Sequence, residues 1–134
     1  MSLEIIQREV EGVYVLALRG RLVLGEESSG FRRAVENILS LGITRLVINL
    51  DQVNYIDSAG LGALIEAHRS TSARGAYLKL SNLRPNFTQA LQFARLLNIF
   101  DTFLTEAAAV ESFWAYCDRH GTYPGPPPCP KCSK

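Results

Sequence analysis

Two groupings of residues in this chain could carry chemistry. The first is Asp57-Ser58-Ala59-Gly60-Leu61-Gly62, which follows the apolar run Leu46-Val47-Ile48-Asn49-Leu50 and precedes an apolar stripe at helical spacing. A hydroxyl where a strand hands over to a helix has two readings. Asp57 or Ser58 caps the helix, or Ser58 accepts a phosphate. A helix start presents unpaired N–H groups and the positive end of the dipole, which favour an anion. Phosphorylation there adds roughly −1.5 to −2 charges, enough to change which partner can dock on Asp57 through Gly62 while the domain stays folded. The second grouping is Cys117 and His120, then Cys129 and Cys132: C-x2-H, a spacer, and C-x2-C. Four such ligands suit a tetrahedral zinc ion. A redox-active CxxC pair, or an inert tail beside a core cysteine, accounts for the same residues.

The elements that must position these groups follow from periodicity. Glu4 to Val10 and Val13 to Leu18, separated by Glu11-Gly12, read as a strand hairpin. Gly20 and Gly25 bracket a short link. Glu26 and Glu27 open a helix with the stripe Phe31, Val35, Ile38 and Leu39, closed by Gly42. Ile43 to Leu50 is apolar at nearly every position, as in a central parallel strand buried on both faces. The serine loop follows, then a helix with Leu61, Leu64, Ile65 and His68 on one side. Ala76 to Leu80 is a fourth strand. Pro85 starts a third helix with Phe87, Ala90, Leu91 and Ala94 inward. A short fifth strand is expected within Ile99 to Leu104. Thr105 caps a last helix running to about His120, with Ala109, Val110, Phe113 and Cys117 on one face. Cys117 and His120 would then lie one turn apart on that helix. Strands alternating with helices imply parallel crossovers and an α/β layer fold. Residues 1–120 form the domain. Residues 121–134, with Pro124 and Pro126-Pro127-Pro128, form a Pro-rich tail carrying the CxxC.

The 134 residues suit one domain with a real core. A hydrophobic fraction of 47% and a charged fraction of 20% are those of a globular protein. A net charge of +1 gives no bulk electrostatic case for nucleic acid or an anionic membrane. No apolar run approaches the ~20 residues that insert across a bilayer, and no secretory signal is visible. Three cysteines clustered near the end argue against a disulfide framework and for a reducing, cytoplasmic setting. No P-loop, GxGxxG, GxSxG or HExxH string is present. His68 sits at a core position without a nucleophile or carboxylate in register, and no acid/base pair points to an enzyme. Trp114, Phe113 and Tyr116 read as packing of the last helix.

From residue 4 to about 119 the chain resembles the STAS family, the sulfate-transporter and anti-sigma-factor-antagonist domains. The residues that carry the resemblance are Gly20-Arg21-Leu22, Leu46 through Asp51, Val53 through Gly62 with its DSAGLG string, and Gly75 before the fourth strand. The resemblance implies a mixed sheet of four or five strands with parallel β-α-β crossovers and helices mainly on one face. It implies a non-enzymatic anti-sigma factor antagonist, a partner-switching regulator of transcription. In that branch a serine-kinase-type anti-sigma factor phosphorylates the motif serine, here Ser58. A phosphatase resets the cycle, and no cofactor is needed. The alternatives are a STAS subunit docked on a transporter ATPase and a zinc-binding tail module. Two positions depart from the family pattern. Val23 stands near the switch loop where an acidic residue is frequent. Arg95-Leu96 stands where a Gly-Leu pair usually ends the third helix.

Overall fold

The structure, a computed structural model, describes residues 3–93, 99–124, 129 and 131–132. Five strands, β1 (Leu3–Val10), β2 (Val13–Leu22), β3 (Arg45–Ile56), β4 (Tyr77–Ser81) and β5 (Asp101–Phe103), make one sheet in the order β1-β2-β3-β4-β5. β1 pairs antiparallel with β2, and every other pairing is parallel. The crossovers are α1 (Glu26–Ser40), α2 (Ser58–Ala73) and α3 (Pro85–Phe93). They are followed by α4 (Glu106–Glu111) and a separate hairpin of β6 (Trp114–Cys117) with β7 (Gly121–Pro124). The mixed α/β sheet of four or five strands that the resemblance implies is present, with five strands.

Alternation along the central strands explains the two cores. Leu16, Leu18 and Leu22 of β2 and Leu46, Ile48 and Leu50 of β3 face one side, where Phe31, Val35, Ile38 and Leu39 of α1 and Ala63, Leu64 and Ala67 of α2 cover them. Phe87 and Leu91 of α3 join the same core. Val13, Val15 and Val47 face the other side, beneath Ala109, Val110 and Phe113. Three helices therefore lie on one face and short α4 on the other. The α2 stripe centres on Gly60, Ala63, Leu64, Ala67 and Thr71, while Leu61 and Ile65 sit at its margin. Small residues let this helix come close to the sheet. His68 packs edge-on against Phe100, ring centroids 5.4 Å apart.

β3 runs six residues beyond Leu50, the end its apolar run implied. It does so through two irregularities. Ala17 pairs with Asn49 but Arg19 with Gln52, and Gly20 pairs with Val53 but Arg21 with Tyr55. Each inserts one extra residue into β3, a bulge that bends and twists the strand. The first also changes which parity points inward, so Val53 joins the core of Leu46, Ile48 and Leu50. Asn49 holds this kink. Its Oδ1 accepts the N–H of Asp51 at 2.9 Å, and its Nδ2 donates to Glu106 at 3.0 Å. Arg8 is ion-paired with the same Glu106 carboxylate.

The C-terminal segment differs from expectation. Thr105 does cap a helix, accepting the N–H of Ala108 at 3.1 Å, but that helix ends at Glu111 instead of about His120. Phe113 stays buried against the sheet, whereas Trp114 through Cys117 extend and pair with Gly121 through Pro124. Trp114 turns onto the β1–β2 turn and Arg45, whose guanidinium lies 5.1 Å from its ring centroid. The boundary expected after residue 120 thus falls in the turn of a hairpin. The signal for that turn was Gly121, which takes φ +75°, a conformation glycine adopts at little cost. Ala94 of the third stripe and the Arg95-Leu96 departure lie outside the described residues.

Candidate functional site

The bulged end of β3 delivers Asp57 and Ser58 to the rim of the sheet where the parallel strands end. Asp57 is the N-cap of α2, with extended φ −104° and ψ −175°. One carboxylate oxygen accepts the N–H of Gly60 at 2.8 Å, and the other accepts that of Leu24 at 3.0 Å. The Asp57 N–H itself donates to the Leu22 carbonyl at 3.3 Å. The donors from Gly60 and then Leu24 stabilise the ionised form and hold the carboxyl below its ordinary 3.8. The cap therefore falls to Asp57, and Ser58, the first residue of α2, is exposed with no capping task.

Gly60 is buried and presses on β2. A Cβ built there would stand 2.1 Å from the Leu22 carbonyl oxygen and 2.7 Å from Ile56 Cγ1. Gly62 is different: nothing lies within 4 Å of a Cβ at that position, so its bareness serves no internal packing. Ala59, Leu61, Gly62 and Val23 are half-buried around the serine. The Val23 carbonyl accepts both the N–H (3.2 Å) and the hydroxyl (2.6 Å) of Ser28, which anchors the loop before α1.

Two neighbours escaped the sequence reading. Leu24, beside Asp57, is 76% exposed, and Tyr55, at the end of β3, is 53% exposed. Arg21 lies 5.4 Å from the Tyr55 ring centroid and pairs with it in register. An exposed leucine two residues after Arg21-Leu22, and a tyrosine two residues before Asp57, were the available signals. The serine thus stands on a surface with apolar and aromatic neighbours, an arrangement suited to a docking protein. Chemically the site offers a hydroxyl, a carboxylate committed to two backbone donors, and a helix start.

The cysteine grouping is also brought together, but on the hairpin and not on a helix. Cys117 ends β6, His120 lies in the turn, and Cys129 and Cys132 return to them. His120 Nδ1 is 3.6 Å from the Cys117 sulfur, 3.5 Å from Cys129 and 3.2 Å from Cys132, and the Cys117 and Cys132 sulfurs are 3.4 Å apart. The N–H of Arg119, the His120 ring and the His120 N–H hold the Cys117 thiol down to about 6, whereas its bond to Cys117 pushes Cys132 up to about 11. Among the described residues no helix is long and apolar enough to cross a membrane.

The STAS domain model matches residues 4–109. Solved structures share the fold. An anti-sigma factor antagonist from Mycobacterium paratuberculosis is 18% identical, with 83% of this chain and 93% of that one covered at a TM-score of 0.74. The Bacillus cell fate determinant SpoIIAA in its phosphorylated form is 21% identical, with 81% and 98% covered at 0.65. A sulfate transporter family protein from Wolinella succinogenes is 20% identical, with 77% and 85% covered at 0.63. At these identities the likeness is one of fold.

Proposed function

Because the chain belongs to the STAS domain family, we propose that it is an anti-sigma factor antagonist whose partner is exchanged by phosphorylation of Ser58. The observation that carries this reading is the division of labour at the start of α2. Asp57 supplies the cap, and the exposed Ser58 hydroxyl is left for another protein to modify. A phosphate at Ser58 meets the favourable end of the α2 dipole, which keeps the helix formed. It also meets the neighbouring Asp57 carboxylate, so two anionic groups would confront a partner that docks over Val23, Leu24 and Tyr55. In this cycle the unphosphorylated chain binds an anti-sigma factor of the serine kinase type, the kinase phosphorylates Ser58, and a phosphatase reverses the mark. The chain is substrate and ligand, with no turnover of its own, and works in the cytoplasm. The phosphorylated form of SpoIIAA, a protein of the same fold, supports this reading by analogy.

The sulfate transporter relative supports a second reading, in which the domain is a docking subunit of a transporter and Ser58 is never modified. Incubation with the co-purifying anti-sigma kinase and ATP, followed by mass mapping, separates the two. One phosphate on Ser58 is the expected result. Phosphate on another residue, or none with that kinase supplied, overturns the switch.

A further inference from the structure

We propose that Cys117, His120, Cys129 and Cys132 bind one structural zinc ion that fastens the C-terminal segment to the β6–β7 hairpin. The four ligand atoms all lie within 4.8 Å of one another. Zinc–sulfur bonds of about 2.3 Å and zinc–nitrogen bonds of about 2.0–2.1 Å at tetrahedral angles place ligand pairs ~3.6–3.8 Å apart. The observed separations of 3.2–3.6 Å between His120 Nδ1 and the three sulfurs are within a few tenths of an ångström of that. All three sulfurs converge on Nδ1, which makes it the imidazole ligand. Four protein ligands fill the tetrahedron and leave no open position, the mark of a structural site instead of a catalytic one.

The two halves of the site are both turns, and the first is shaped around a sulfur. In the first, Gly121 at φ +75° lets the chain reverse immediately after His120, and the N–H groups of Arg119 and His120 point at the Cys117 sulfur. In the second, the Cys132 N–H donates to the Cys129 carbonyl at 3.1 Å. Three thiols bind as thiolates and release their protons to solvent. With neutral His120 the filled site carries one net negative charge, and the chain carries a cationic residue inside each turn, Arg119 and Lys131, beside the acidic Asp118.

The hairpin needs such a fastening. Its strands have four residues each, Tyr116 is 71% exposed, and Cys132 and His120 face solvent. A two-stranded hairpin alone is marginal in water. Trp114, its first residue, anchors it near Arg45 at the beginning of β3. Ser58 follows the other end of that twelve-residue strand, roughly 35 Å away at the usual rise. The anchor of the hairpin and the serine loop therefore lie at opposite ends of β3.

The test uses full-length protein purified in reductant without a polyhistidine tag. Elemental analysis should find about one zinc per chain. Cobalt substitution should give the intense visible bands of a tetrahedral thiolate complex. Cys132→Ser, at an exposed position that the core does not need, should lose the metal, while Ser58→Ala keeps it. A chelator should expose the segment after Phe113 to protease while residues 3–93 stay intact. Substoichiometric zinc together with failure to take up cobalt, iron in place of zinc, or full zinc retention in Cys132→Ser each overturns the proposal.

Discussion

Asp57 ties Leu24 to the start of α2. Its Oδ2 accepts the Leu24 N–H at 3.0 Å, while its Oδ1 accepts that of Gly60 at 2.8 Å. One carboxylate thereby joins the loop before α1 to the helix that carries Ser58. An amide has a single acceptor oxygen, so Asp57→Asn should keep the cap, for which Asn serves as well as Asp, and release Leu24. Amide exchange by NMR should accelerate at Leu24 while Gly60 stays protected, and Asp57→Ala should accelerate both. Equal protection of Leu24 in wild type and Asp57→Asn would count against the tie.

The same carboxylate gives a pH dependence of known sign. Its folded-state pKa lies below 3.8, so its contribution to stability is fully present above the unfolded value. It is lost as pH falls through the depressed value. The amide shifts of Leu24 and Gly60 should titrate together, with a common midpoint below 3.8. A common midpoint above that value contradicts the assignment.

Gly60 and Gly62 should respond oppositely to the same methyl group. Gly60→Ala must push a Cβ into the Leu22 carbonyl, 2.1 Å away, and backbone cannot swing aside as a side chain would. Overpacking of this kind costs about 1–3 kcal/mol. Gly62→Ala meets nothing and gains helix propensity, about 0.8–1 kcal/mol in its favour. Urea denaturation measures both. If Gly62→Ala is at least as stable as wild type yet binds the partner more weakly, the partner rests on the first turn of α2.

Substitutions at Ser58 should be nearly silent for the fold and loud for binding. Ser58→Ala and Ser58→Asp are both expected within about 0.5 kcal/mol of wild type, the usual range for an exposed site without special contacts. Ser58→Ala should bind the kinase without being turned off. Ser58→Asp should bind about tenfold more weakly or worse, a loss of about 1.4 kcal/mol. Calorimetric titration with the kinase reads both, and equal affinities for the two variants would remove the charge-based switch.

The outer face supplies a stability test of the C-terminal segment. Phe113 is buried with Val13, Val15, Val47, Ala109 and Val110, and its ring lies 4.2 Å from the Lys79 ammonium. Phe113→Ala should cost about 3–5 kcal/mol. A loss under about 1 kcal/mol in denaturant titration would mean that α4 and Phe113 are not part of the cooperative core.

The sequence by itself determined the sheet, the crossovers and the serine's place at a strand-to-helix joint. Those features follow from local periodicity, from glycine and proline punctuation and from the DSAGLG string, all of which act over a few residues. It left Asp57 and Ser58 as rival caps, because either side chain can reach the first N–H groups of a helix. Only the tertiary structure decided between them, since the two bulges in β3 set Asp57 between Leu24 and Gly60. The segment from Phe113 to Cys117 was misread as helix for a related reason. Val110, Phe113 and Cys117 satisfy a helical stripe, yet the pairing of Trp114 through Cys117 with Gly121 through Pro124 and the seat of Trp114 near Arg45 depend on residues beyond that window. The convergence of Cys117 and His120 with Cys129 and Cys132 depends on the same fold-back, which spacing permitted and three-dimensional pairing produced.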